Sequence, residues 1–121
     1  QLSGTGNKEK NPHVRRCKDY IFSHLHDRIT IQEIADFLGM NPGYLSELFH
    51  KCEGMSIKNF ILREKIGLAK NMLTYSGYSY IEIAAYLGFS SQSHLGKQFK
   101  KLTGFTLSEY RNTYGVRQFT S

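Results

Sequence analysis

The 121-residue chain writes one pattern twice. Ile34-Ala35-Asp36-Phe37-Leu38-Gly39 is followed by Leu45, Phe49, Lys51, Gly54, Ser56 and Phe60. Ile83-Ala84-Ala85-Tyr86-Leu87-Gly88 is followed by Leu95, Phe99, Lys101, Gly104, Thr106 and Tyr110. The offset is 49 residues from Ile34 to Ile83 and 50 from Leu45 to Leu95, so the second copy holds one extra residue in its turn. A short helix, a glycine turn and a second amphipathic helix form a helix-turn-helix, and two copies form a tandem arrangement. The repeat points to a chain that reads two successive stretches of DNA.

Helix punctuation surrounds the repeat. Pro12 suits a first turn, and a helix is predicted from there to about His26. Thr30 with Glu33 three residues on is a capping box. The helix it opens turns Ile31, Ile34, Ala35 and Leu38 inward and stops at Gly39. Asn41-Pro42 opens the next helix, to about Cys52. Ser56 opens a long helix to about Tyr75, with Leu62, Ile66, Ala69 and Leu73 on one face. Its twenty or so residues span roughly 30 Å. Ser79 and Glu82 make a second capping box, after which Ile83, Ala84 and Leu87 turn inward up to Gly88. Helices from about Ser91 to Leu102 and from Thr106 to about Asn112 complete the chain.

No strand-like alternation persists, so the expected fold is all-α. It has about seven helices, in two helix-turn-helix subdomains joined by a long central helix. The boundaries read as a linker or disordered arm over 1–11, a first subdomain over 12–55 and the connecting helix over 56–75. The second subdomain covers 76–114 and a tail 115–121. The aromatic pairs at repeat positions (Phe37/Tyr86, Phe49/Phe99, Phe60/Tyr110) read as core.

The net charge is +6, unevenly placed. Up to Met55 there are seven Lys/Arg and seven Asp/Glu, whereas from Ser56 on there are nine against three. The excess in the second half suits an anionic partner held more strongly there. Cys17 and Cys52 form no CxxC pair and continue apolar stripes, which reads as buried reduced thiols in a cytoplasmic protein. His24 and His26 fall on different helix faces without further ligands, so neither a metal nor any other cofactor is expected. No apolar run reaches membrane length and no signal-peptide core opens the chain. A start at Gln1 rather than Met reads as that of a piece of a longer protein.

The second helix of each copy carries the candidate contacts. After Pro42, Leu45, Leu48, Phe49 and Cys52 share one face. The opposite face holds Gly43, Ser46, Glu47 and His50, with Tyr44 and Lys51 flanking and Asn41 at the entry. In a helix-turn-helix the N-terminal part of this outer face enters the major groove. Ser46 and Glu47 are candidates for base edges, Glu47 as an acceptor from cytosine N4. Glu47 equally suits a salt bridge or the rejection of wrong sites by repelling phosphates. His50 and Lys51 suit phosphates. In the second copy Leu95, Phe99 and Leu102 face inward, and Ser93, Gly96, Lys97 and Lys100 face out. Ser91, Gln92 and His94 stand near the entry turn, with Lys101 flanking. Gln92 suits adenine, Lys97 suits guanine or a phosphate, and Lys100 and Lys101 suit the backbone. Helices reading adjacent grooves lie about 34 Å apart, a distance the long helix matches as a spacer.

The stretch from Ile81 through Leu87-Gly88-Phe89-Ser90-Ser91-Gln92 and Phe99-Lys100-Lys101-Leu102-Thr103-Gly104 to Tyr110-Arg111 resembles the signature of the AraC/XylS transcriptional regulators. Lys65-Ile66, Ala69 and Met72-Leu73 resemble that family's connecting helix, and the resemblance covers about residues 13–114. It implies a seven-helix domain whose two helix-turn-helix units enter successive major grooves of a promoter operator. It also implies a separate effector, dimerisation or receiver domain in the full-length protein. Leu107, and Ile57 in the first copy, stand where the family often has proline. Lys65 stands where it usually has arginine, which weakens any bidentate contact.

The leading function is therefore sequence-specific binding of double-stranded DNA by a bacterial transcription regulator. The alternative is a helical protein-interaction module docking a transcription partner such as RNA polymerase. Steep loss of affinity with salt separates the first from the second. The chain shows no nucleophile–base pair, carboxylate pair or phosphate loop, so it does not read as an enzyme.

Overall fold

The structure, a computed structural model, describes residues 11–116. The described residues form seven α-helices and no strand. In order they are α1 (Pro12–Ser23), α2 (Ile31–Leu38), α3 (Pro42–Glu53), α4 (Ile57–Tyr75), α5 (Tyr80–Tyr86), α6 (Gln92–Thr103) and α7 (Leu107–Tyr114). The chain divides into two compact units with the boundary between Leu62 and Arg63, inside α4. The all-α expectation holds. Of the predicted arm and tail, residues 1–10 and 117–121 lie outside the described residues.

In the first unit, the Asn11 side chain accepts the backbone N–H groups of His13 and Val14 and so caps α1. The helix buries Val14, Cys17 and Ile21. It ends at Ser23, earlier than the sequence predicts. The Tyr20 carbonyl, which a continuing helix would offer to the His24 backbone, instead accepts from His24 Nδ1 at 2.7 Å. The His24 backbone N–H turns to Ile21, and its ring stacks on Tyr20 with centroids 3.9 Å apart. Ile34, Ala35 and Leu38 of α2, Leu45 and Phe49 of α3, and Ile57, Phe60 and Ile61 of α4 complete the core. Phe49 and Phe60 meet edge to face at 5.4 Å. Glu33 serves two elements at once. Its Oε1 accepts the Thr30 backbone N–H in the predicted capping box, while Oε2 accepts the Tyr20 hydroxyl at 2.9 Å. Lys18 and Glu53 form an ion pair at 2.9 Å, placing a cation at the C-terminal turn of α3 where the helix dipole favours it.

In the second unit, Ile66, Ala69 and Leu73 of α4 are buried with Ile83, Ala84, Leu87, Leu95, Phe99 and Leu107. Lys65 is also buried, its Nζ 5.6 Å from the centre of the Phe89 ring. Arg111 on α7 donates from Nε to the Leu73 carbonyl at 3.1 Å. Its Nη2 donates to the Met72 and Ser76 carbonyls at 3.3 and 3.1 Å, and its guanidinium lies over Tyr80. The Met72 carbonyl also accepts the Ser76 backbone N–H, the Leu73 and Ser76 carbonyls lie at the open end of α4, and a cation there meets the negative end of the helix dipole. Ser79 with Glu82 and Thr106 with Glu109 form capping boxes on α5 and α7.

Three inward assignments from the sequence are corrected. Phe37 and Tyr86 are 61% and 52% exposed, because each stands roughly 100° around its helix from the middle of the inward stripe. Leu102 is 48% exposed, since the last turn of α6 is open to solvent. Cys52 is half-buried, while Cys17 is fully enclosed. Ile57 and Leu107 are buried at the first positions of their helices, where apolar packing holds them.

Candidate nucleic-acid interface

The two helix-turn-helix turns are built alike. Gly39 and Gly88 both adopt left-handed backbone, with φ of 69° and 75°, which a side chain would strain. In each turn a 6→1 bond closes the preceding helix, from Met40 N–H to the Ala35 carbonyl and from Phe89 N–H to Ala84, both at 2.9 Å. The paired 5→2 bonds run from Gly39 to Asp36 and from Gly88 to Ala85, completing a Schellman motif in both copies. The copies then diverge. Met40 leads directly to the cap Asn41, whereas Phe89 is followed by Ser90 before the cap Ser91. Ser90 is thus the extra residue of the second turn.

Each cap fixes the start of the candidate recognition helix. The Asn41 side chain accepts the Tyr44 backbone N–H and Ser91 accepts that of His94, both at 3.0 Å. Leu45 and Phe49 anchor α3 inward, and Leu95 and Phe99 anchor α6, all with no solvent exposure. Burying such a residue contributes about 1.5–3 kcal/mol against about 1 kcal/mol for a cap, so packing sets each helix's rotation and the cap sets its first turn.

The anchors leave the predicted outer residues in solvent. On α3, Gly43, Tyr44, Glu47, His50 and Lys51 are exposed, and on α6 so are Gln92, Ser93, His94, Lys97, Lys100 and Lys101, with both caps. Ser46 and Gly96 differ from the rest. They occupy equivalent positions, are half-buried and turn toward the start of the following helix. A Cβ on Gly96 would stand 3.9 Å from Leu107 Cδ1. Ser46 lines a shallow groove with Glu47, His50, Lys51, Ile31, Ser56 and Ile57. Electrostatically the faces are unlike: α3 presents Glu47 beside His50 and Lys51, and α6 presents three lysines. Lys100 also draws the Glu109 carboxyl below its usual range, after the larger effect of the hydrogen bond from the Thr106 backbone.

Residues 34–113 match the family model described as a helix-turn-helix domain. The chain is 32% identical over 103 residues to the regulatory protein PocR of Salmonella typhimurium, which covers 83% of this chain and 34% of PocR. It is likewise 32% identical over 98 residues to a helix-turn-helix transcriptional regulator of Staphylococcus aureus, covering 81% of this chain and 13% of that protein. The chain thus spans about a third and about an eighth of these relatives. Among solved structures, the C-terminal domain of AraT, a response regulator from Geobacillus stearothermophilus, superposes with a TM-score of 0.88 at 28% identity. That likeness covers 92% of this chain and 93% of that one. The DNA-binding domain of AdpA, solved with a target DNA, shares the fold with a TM-score of 0.80 at 22% identity, over 89% of this chain and 97% of that one. The chain belongs to the AraC/XylS family of helix-turn-helix domains.

Proposed function

We propose that this chain binds double-stranded promoter DNA in a sequence-specific manner, as the DNA-reading part of a bacterial transcription regulator. The observation that carries the reading is the doubled scaffold. Two helices at the recognition position are rotated by the same buried anchors and keep polar outer faces in solvent. In this reading α3 and α6 enter successive major grooves. Gln92 and Lys97 read bases, and Lys100, Lys101, His50 and Lys51 hold phosphates. Glu47 accepts from a cytosine or turns away wrong sites. Tyr44, Ser93 and the helix starts at Asn41, Gly43 and Ser91 line the grooves, and Ser46 and Gly96 support the face from beside the next helix. The domain performs no catalysis and acts in the cytoplasm, where promoter DNA is. RNA polymerase is the protein partner such a regulator meets at a promoter. The much greater length of the relatives supports an effector, dimerisation or receiver domain elsewhere in the intact protein.

Selection of bound sequences from a random duplex pool tests this. The expected product has two conserved blocks about ten base pairs apart, one per major-groove turn. Affinity for it falls steeply with added salt, and Lys97→Ala weakens binding. A single block, or affinity insensitive to salt, rejects the two-groove reading.

A further inference from the structure

Ser90 is the residue by which the second turn exceeds the first, and it is placed against the recognition helix. Its hydroxyl lies 3.3 Å from Nδ1 of His94. The His94 ring also packs edge-on against Phe89, with centroids 5.4 Å apart and planes at 79°. His94 is therefore held from two sides, by a hydroxyl and by a ring, although it is exposed. A side chain with two constrained contacts loses less rotamer freedom on binding than a free one. His94, Lys97 and Lys101 lie three and four residues apart, on one flank of α6. The first copy offers no counterpart: Tyr44 stands at the equivalent place, and the turn before it lacks the extra serine.

We propose that Ser90 is a positioning residue that presents His94 as a base-reading donor of the second unit. In this role the Ser90 hydroxyl would donate to Nδ1, which puts the ring proton on Nε2, the remaining polar atom. An imidazole N–H facing the major groove seeks an acceptor edge. Guanine, with the two acceptors N7 and O6 side by side, satisfies it best; adenine sets the N6 donor beside its N7, thymine offers O4 alone, and cytosine presents the N4 donor. The second block of the operator therefore carries a guanine read by His94. This inference rests on the DNA-binding function proposed above.

The test uses the full chain on its selected site and on variants of the second block. Wild type prefers guanine at one position there, and His94→Ala loses that preference by about fivefold or more while leaving the first block's preferences intact. Ser90→Ala lowers the same preference about two- to tenfold, the range of one hydrogen bond, and Ser90→Thr restores it. In a His94→Ala background Ser90→Ala has no further effect. Nitrogen NMR of the imidazole gives an independent readout, with the Nε2–H tautomer less populated in Ser90→Ala. Ser90 is exposed, so these variants keep the fold, which thermal melts check. The proposal is overturned if Ser90→Ala matches wild type, if His94→Ala weakens all sequences evenly as a phosphate contact would, or if adenine, thymine or cytosine is preferred. Absence of specific DNA binding by wild type would instead sink the functional reading itself.

Discussion

Burial and hydrogen bonding set the behaviour of single side chains more than residue type does. The two cysteines share a chemistry and not an environment. Enclosure pushes the Cys17 thiol up to about 12, because a thiolate there would be stripped of water. Cys17 therefore stays protonated at neutral and mildly alkaline pH, and the half-buried Cys52 is the site of attack. Alkylation at pH 8 followed by peptide mass mapping should label Cys52 well before Cys17, and equal labelling in the folded protein would contradict this. Burial also distinguishes the repeated aromatics. Phe49 and Phe99 are fixed in the core, whereas Phe37 and Tyr86 are half or more exposed at equally matched repeat positions. Identity at a repeat position reports a shared backbone, and only the helical angle reports which way the ring points.

The helices show how local signals and distant contacts divide the work. The boxes at Thr30–Glu33 and Ser79–Glu82 were legible in the sequence because a cap is written within four residues. The glycine turns and the Asn41 cap were legible for the same reason. The end of α4 at Tyr75 was legible too, but the early end of α1 and the contact that seals the end of α4 were not. The first depends on a ring nitrogen taking a backbone carbonyl, and the second on Arg111, which lies 38 residues from Leu73. Arg111→Ala should destabilise the second unit by about 1.5–3 kcal/mol, as a charged donor is lost from three carbonyls. Urea titration measures the loss, and Arg111→Lys should recover only part of it, since a point charge cannot span the three acceptors.

The box on α7 adds a pH dependence. The Thr106 backbone N–H holds the Glu109 carboxyl below its usual range. A carboxyl depressed in the folded state stabilises above its ordinary pKa of about 4.3, and that contribution is lost as pH falls through the depressed value. Glu109→Gln should accordingly lower the melting temperature at pH 7 and make little difference near pH 2. The group is exposed, so the effect is small. A gap that persists unchanged in acid would assign the loss to the cap's shape and not its charge.

At the scale of the molecule, the division into units falls inside α4, between Leu62 and Arg63. The sequence marked this helix as a separate connector because its apolar stripe runs without a break. In the structure Ile57, Phe60 and Ile61 are buried with the first unit, and Ile66, Ala69 and Leu73 with the second. Inserting two glycines at Leu62/Arg63 therefore breaks the helix while leaving each core its own residues. If the two reading helices act together, this insertion should sharply lower affinity for a two-block site and change binding to a single block little. Gel-shift titration on both duplexes gives the comparison, and equal loss on both would point to unfolding. The same insertion near Asn71 would fall beside the carbonyls that Arg111 holds.

The Arg111 clamp also bears on the order in which the protein is made. A chain leaving the ribosome has all the core residues of the first unit once Leu62 is free, so that unit is able to close early. The Arg111 contacts to the end of α4 wait until residue 111 has emerged. During that interval the second unit holds most of its apolar residues without the side chain that seals its longest helix. Translation pauses before residue 111 has emerged would lengthen this vulnerable stage, and chaperone capture should concentrate there.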